Sequence, residues 1–151
     1  MIAISMLPKG CEWSMMSFAS TLYLRPILDL LLANVPPQWE PEIRLGLQEA
    51  LVNAAKHGNK LDPSKTVVVH FSVSDGEYSW VICDQGAGFT ATVYDYDNKE
   101  LSLPPEEAES GRGLCLLHQI FDQVRWNHQG TQLRLCKQVS PAKTNRKPLL
   151  C

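Results

Sequence analysis

The sequence predicts an α+β fold: a mixed, mostly antiparallel sheet covered on one face by helices. Three observations predict it. Apolar residues alternate with period two ahead of a Ser-Asp-Gly-Glu turn at 74–77 and a strand-like apolar stretch follows it, the pattern of an antiparallel hairpin. Two stretches ahead of this hairpin and one behind it carry apolar residues at helical spacing. The elements therefore run strand, helix, helix, hairpin, loop, helix, hairpin, so strands and helices segregate rather than alternate. A chain of 151 residues is the usual extent of one domain with one core.

Residues 1–14 read as a loose N-terminus and 15–138 as the folded domain. A first strand is expected within 12–20. The next stretch places Leu24, Ile27, Leu28, Leu31 and Leu32 on one helical face, and Pro26 must lie in its first turn or kink it. After a Pro-Pro-Gln-Trp-Glu-Pro loop, Pro41 opens a second helix, where a missing N–H does no harm, and Glu42 suits the positive end of its dipole. This helix runs to about His57, with Gly58 placed to end it. Ile43, Leu47, Ala50, Leu51 and Ala54 form the side that packs on the sheet.

A strand with Val67, Val69, Phe71 and Val73 on one face turns at Asp75-Gly76 into a returning strand over 78–83. Residues 90–110 then lose all apolar periodicity. They hold Asp95, Asp97, Glu100, Pro104, Pro105, Glu106, Glu107 and Glu109, and acidic loops of this length in a small domain are often functional lids. A third helix is expected from Gly111 to about Val124, followed by a second hairpin around the loop 127–130. Residues 139–151 read as a disordered basic tail.

Composition narrows the functional classes. The formal net charge of −2 argues against a nucleic-acid binder, which carries a basic excess. The five cysteines include no CxxC pair, so a zinc site is not indicated. Three of them lie in apolar runs and read as small buried hydrophobes, and free thiols fit a reducing cytoplasm. No signal-peptide pattern opens the chain, and the longest apolar run, 27–35, contains Asp29 and Asn34 and is too short to span a bilayer. A cytoplasmic protein without membrane attachment is expected.

Two glycine-rich boxes flank the acidic loop: Asp-Gln-Gly-Ala-Gly-Phe at 84–89, directly after a strand, and Gly-Arg-Gly-Leu at 111–114, opening a helix. Neither is a P-loop or a dinucleotide fingerprint. Each alone is also an ordinary turn or helix start. As a pair they suit a nucleotide: glycines admit a flat ligand close to the backbone, free N–H groups at a helix start bind phosphate, and a carboxylate at a strand end accepts a hydrogen bond from an exocyclic amine. The helix 41–57 adds Glu49, Asn53 and His57, spaced by four. Successive members lie about 40° apart around the axis and can face one pocket. Glu49 can orient or deprotonate a hydroxyl, and the Asn53 carbonyl is a hard oxygen ligand for magnesium. By itself such a row is also what a solvated helix face presents.

In order, the segments 49–59, 84–89, 111–114 and 130–135 resemble the motifs of the GHKL ATPases (gyrase, the heat-shock chaperone, histidine kinases and a mismatch-repair protein). More narrowly they resemble the bacterial anti-sigma-factor serine kinases, over roughly residues 15–138. The resemblance implies a histidine-kinase-like ATPase sandwich with an ATP lid at 90–110. It implies Glu49 as general base, Asn53 as magnesium ligand, and Lys56 and His57 as flanking positions near the nucleotide. Asp84 would read the adenine amine, with Gly86 and Gly88 lining the base. Gly111, Arg112, Gly113 and Leu114 would form the lid hinge whose amides touch the phosphates, and Thr131 would back the adenine contact. Arg25, which weakly matches a partner-contacting arginine, reads as a surface residue at a helix start. The acidic lid with its Pro-Pro pair departs from the family, whose lids often carry basic or threonine residues, and the basic tail has no counterpart.

Two functions follow. The first is an enzyme: a Mg·ATP-dependent serine/threonine protein kinase acting on an anti-anti-sigma (STAS-type) partner, which also holds a sigma factor inactive and forms homodimers. The second is a nucleotide-gated, non-catalytic binding module in the same kind of partner-switching pathway. Retention of Glu49 favours the enzyme, since a pure binder has no use for a base; the unusual lid favours the module. The ATPase half of a histidine kinase is disfavoured, because too little chain precedes the first helix for a histidine-bearing hairpin.

Overall fold

Strand pairing organises the molecule. The computed structural model describes residues 12–88 and 111–139, without the side chains of Gly111 and Arg112. The expected lid, the tail beyond 139 and most of the loose N-terminus lie outside the described residues. In chain order the elements are β1 (Ser14–Ala19), α1 (Arg25–Leu31), α2 (Glu40–Val52), a π-helical turn (Asn53–Gly58), β2 (Thr66–Ser74), β3 (Glu77–Cys83), α3 (Gly111–Ile120), β4 (Gln123–Trp126) and β5 (Gln132–Gln138). The strands form one sheet in the order β1-β2-β3-β5-β4, and every described pair is antiparallel.

The register explains which face is covered. Met16 pairs with Val69, Val69 with Ile82, Ile82 with Leu133, and Leu133 with Trp126, so one apolar row crosses all five strands. The alternation of side chains puts this row on one face, and it joins the core contributed by the helices. Ile43, Leu47 and Leu51 of α2 are each 0% exposed there. Burying a side chain of that size stabilises by roughly 1.5–3 kcal/mol, which makes α2 the element that fixes the helical layer to the sheet. Arg44 ties α1 to α2 through 2.6 Å contacts with both Asp29 and Glu40.

The turn chemistry is as the sequence predicts. Asp75 and Gly76 both take positive φ, 51° and 77°, the left-handed pair that Asp-Gly favours in a two-residue hairpin. Pro26 and Pro41 both sit in the first turns of their helices. Val73 belongs to the apolar face by alternation but is 50% exposed, because it lies at the tip of the hairpin.

Three expectations are corrected. The third helix ends at Ile120 rather than near Val124, because β5 captures the chain. Asp122 N–H donates to the Cys136 carbonyl at 2.8 Å, its carboxylate accepts from Gln138 N–H at 2.6 Å, and Val124 pairs with Leu135. Gly58 is the last residue of the helical run but not its left-handed stop. The helix widens into the π turn, closed by Asn59 N–H donating to the Ala54 carbonyl at 2.9 Å, and the left-handed residues are Lys60 and Leu61, with φ of 55° and 56°. The cysteines are not all free: Cys83 and Cys136 are buried thiols enclosed by the sheet, whereas Cys115, half-buried on α3, is disulfide-bonded.

Candidate functional site

The π turn, the end of β3 and the β4–β5 turn meet at one place. Asp84, directly after β3, anchors it. Its N–H donates to the Thr131 carbonyl at 2.9 Å, and its Oδ1 accepts from Gly86 N–H at 2.8 Å. Gly58 and Gly86 both press on this carboxylate. A Cβ at Gly58 would collide with the Asp84 carboxyl group, and one at Gly86 would run into the Gly58 carbonyl. Gly58 is therefore small because Asp84 needs the space. Gly88, with φ of 77°, lies against the Gln129 carbonyl and the Thr131 methyl group.

Burial raises the Asp84 carboxyl to about 6, against the opposing influences of the Gly86 N–H and the Lys65 ammonium. The neighbouring Cys83 thiol is pushed up to about 12 by burial and by Asp84, which leaves it unreactive. Thr131 is fixed by Asn127, which closes the hairpin loop. Asn127 Oδ1 accepts from the N–H groups of Thr131 at 2.9 Å and Gln132 at 3.1 Å, and its Nδ2 donates to Thr131 Oγ1 at 3.2 Å.

The helical side of the site is made by α2 and α3. A Cβ at Gly46 would meet the Phe121 ring and Ile120, so α3 lies close on α2. The same approach brings the start of α3 to Glu49, and a Cβ at Gly113 would collide with the Glu49 carboxylate. Glu49 and Asn53 are both half-buried, and neither side chain makes a hydrogen bond within the described residues. Asn53 opens the π turn. Such bulges occur often at functional sites because they re-aim side chains.

The structure thus gathers the expected residues into two groups. Asp84, Gly86, Gly88 and Thr131 meet at the β3 end, and Glu49 meets Gly113 at the α2–α3 contact. His57 is half-buried and Lys56 exposed on the π turn. Leu114 is 6% exposed, so its side chain belongs to the packing and only its amide is open to a ligand role. Arg25 is exposed at the start of α1.

Two contributors were missed by sequence reasoning: Asn127, and Asn59, which is 0% exposed and accepts from Gln85 N–H at 2.7 Å. Both left a signal, an Asn opening a short Gly-containing hairpin loop and an Asn directly after the glycine of a helix end.

The residues fit the ligands that the resemblance implies. One oxygen of Asp84 is held by Gly86, and no described residue bonds the other, beside backbone cleared of side chains by Gly58 and Gly86. The Asn53 amide is equally uncommitted. Among the described residues no group of three or more His, Cys, Asp or Glu could hold a metal, and the Asn53 carbonyl is a hard oxygen of the kind magnesium takes beside phosphate oxygens and water. No helix of the described residues is long and apolar enough to cross a membrane.

Comparison with known proteins gives relatives and a family. The chain is 28% identical over 108 residues to "Serine-protein kinase RsbW" of Bacillus subtilis, covering 66% of this chain and 64% of that protein. It is 26% identical over 126 residues to "Anti-sigma F factor" of Halalkalibacterium halodurans, covering 80% and 86%. It is 29% identical over 105 residues to "Anti-sigma F factor" of a Geobacillus species, covering 68% and 71%. The names of these relatives bear out the likeness to anti-sigma-factor serine kinases, and the Bacillus subtilis protein is itself named a serine-protein kinase. The family "Histidine kinase-like ATPase domain" matches residues 24–137. With three quarters of its length matched in this way and the fold to go with it, the chain belongs to the histidine kinase-like ATPase domain family.

Proposed function

We propose that the chain is a Mg·ATP-dependent serine/threonine protein kinase that regulates a sigma factor, with an anti-anti-sigma protein of the STAS type as its substrate. The observation that carries the reading is Glu49. It is a carboxylate without a hydrogen bond among the described residues, held against the start of α3 and one helical turn from Asn53. A binding module would gain nothing from a base at that position. The relatives named serine-protein kinase and anti-sigma F factor support the same reading.

Each residue has a task in this reading. Asp84 accepts from the exocyclic amine of adenine, in an environment that Gly58 and Gly86 keep free of side chains. Thr131, locked by Asn127, supports that contact. The amides at the start of α3 face the phosphates, where the helix dipole favours negative charge. Asn53 would hold the magnesium ion, which when bound neutralises charge on the phosphate oxygens. Glu49 takes the proton from the attacking serine hydroxyl, and phosphoryl transfer demands little more than such positioning and charge neutralisation.

The test incubates the purified chain with γ-labelled Mg·ATP and a soluble extract of its own host, beside a Glu49→Gln variant. A labelled protein band present with the wild type and absent with the variant supports the kinase and delivers its substrate. Identical patterns despite ATP binding would replace it by a nucleotide-gated binding module.

A further inference from the structure

One residue bonded into the site plays no part in the chemistry proposed above. Asn59 is wholly buried, and a buried amide is costly unless its hydrogen bonds are satisfied. Here its Oδ1 accepts from Gln85 N–H at 2.7 Å, and its Nδ2 donates to the Thr66 carbonyl and to Ser20 Oγ, both at 2.9 Å. Ser20 Oγ in turn donates to the Lys65 carbonyl at 3.0 Å. One side chain therefore joins the ends of β1 and β2 to the backbone of the residue after Asp84. Gln85 adds a second tie, its Oε1 accepting from Thr66 N–H at 2.7 Å.

The main chain of Asn59 faces the other way. Its N–H closes the π turn on the Ala54 carbonyl, one residue from Asn53. A short path of hydrogen bonds thus runs from Asn53, through the Ala54 carbonyl and Asn59, to Gln85 and Asp84. The left-handed backbone of Lys60 and Leu61 follows at once. Such conformations cost of order 1–2 kcal/mol for a residue with a side chain, and backbone bonds brace this stretch, Leu61 N–H donating to the Ala55 carbonyl at 2.9 Å and Asp62 N–H to the Asn59 carbonyl at 3.0 Å.

We infer that Asn59 is a positioning residue: it fixes the Asp84–Gly86 loop relative to the Asn53 end of the site and so sets the preference for a nucleotide base that carries an exocyclic amine. The inference rests on the ATP-site reading above. Its physical basis is the narrow range of a hydrogen bond. A carboxylate displaced by about 1 Å from an amine loses most of the contact, while the phosphates, held by other residues, are unaffected.

The test compares affinities for ATP and for inosine triphosphate, in which a carbonyl oxygen replaces the amine. Both are measured by calorimetry on the full chain, with thermal melting recorded alongside. Asn59→Leu is expected to lower the ATP-over-inosine ratio by about tenfold, a loss of roughly one charged hydrogen bond, with inosine triphosphate affinity nearly unchanged. In an Asp84→Asn background the same substitution is expected to leave the ratio unchanged, because its effect passes through Asp84. Equal losses for both nucleotides, or the same fall in the ratio in both backgrounds, would reduce Asn59 to a stability residue and overturn the inference. Should Asn59→Leu not fold, Ser20→Ala removes one acceptor at the half-exposed edge of the network. A fall of about two- to fivefold in the ratio is expected there, on the scale of one neutral hydrogen bond, and an unchanged ratio overturns the inference. A wild-type protein that binds no ATP would instead sink the site reading itself.

Discussion

At the β3 end of the site, nearly every polar group is committed within the protein. Asp84 is held by Gly86 and Thr131, Thr131 by Asn127, and Gln85 by Asn59 and Thr66. At the helical side of the site the opposite holds, since the side chains of Glu49 and Asn53 have no hydrogen bonds among the described residues. A group that recognises an invariant feature of a ligand gains from being fixed beforehand, because little is then lost in ordering it on binding. Groups that must follow a reacting phosphoryl group and a changing metal shell are better left to be satisfied by them. In the proposed reading the contrast separates recognition from chemistry.

That separation can be broken at either end. The largest effect is expected for Glu49→Gln, which should lower phosphoryl transfer by about 10²–10⁴, the range of a lost general base, while ATP affinity stays within about threefold. Gly113→Ala, whose methyl group would displace the Glu49 carboxylate, should reduce transfer in the same way, with nucleotide affinity again preserved. At the recognition end, Asp84→Asn should weaken ATP binding by about 10–100-fold, the value of a charged hydrogen bond. Gly58→Ala should weaken it about tenfold by crowding Asp84, with a lower melting temperature. The smallest effect is expected for Thr131→Val, a few-fold in ATP affinity, because only one neutral hydroxyl contact is lost.

The acidity of Asp84 sharpens the comparison. Its folded-state carboxyl is raised by burial from the ordinary aspartate range to about 6. Before ligand binds, the protonated form is the one the fold favours. Its contribution to stability is therefore complete below about pH 4 and is lost as pH rises through about 6. Adenine recognition has the opposite sign, because only the ionised carboxylate accepts from the amine without a competing proton. ATP affinity should fall as pH drops below about 6, and the Asp84→Asn variant should lack that dependence. Calorimetry between about pH 5 and 8 reads both.

Much of this was legible in the sequence, and the reasons are specific. Period-two alternation and the Asp-Gly turn marked β2 and β3. Helical spacing marked α2, and the four motifs singled out Glu49, Asn53, Asp84 and Thr131 as site candidates. What was not legible depended on contacts distant in sequence. The last helix was read too long because nothing local in Phe121–Val124 announces that β5 will capture it. Gly58 was read as a helix stop because its real constraint, the Asp84 carboxylate 26 residues away, has no local pattern. Asn59 was passed over for the same reason: its partners Ser20, Thr66 and Gln85 come from three separate segments.

The most direct test of the account is paired calorimetry and phosphoryl-transfer assay on the wild type, Asp84→Asn and Glu49→Gln. The account predicts that wild type binds Mg·ATP, that Asp84→Asn loses most of that affinity, and that Glu49→Gln keeps it while losing transfer. Failure of the wild type to bind ATP, or equal loss of affinity in both variants, would contradict the division of the site into a recognising end and a reacting end.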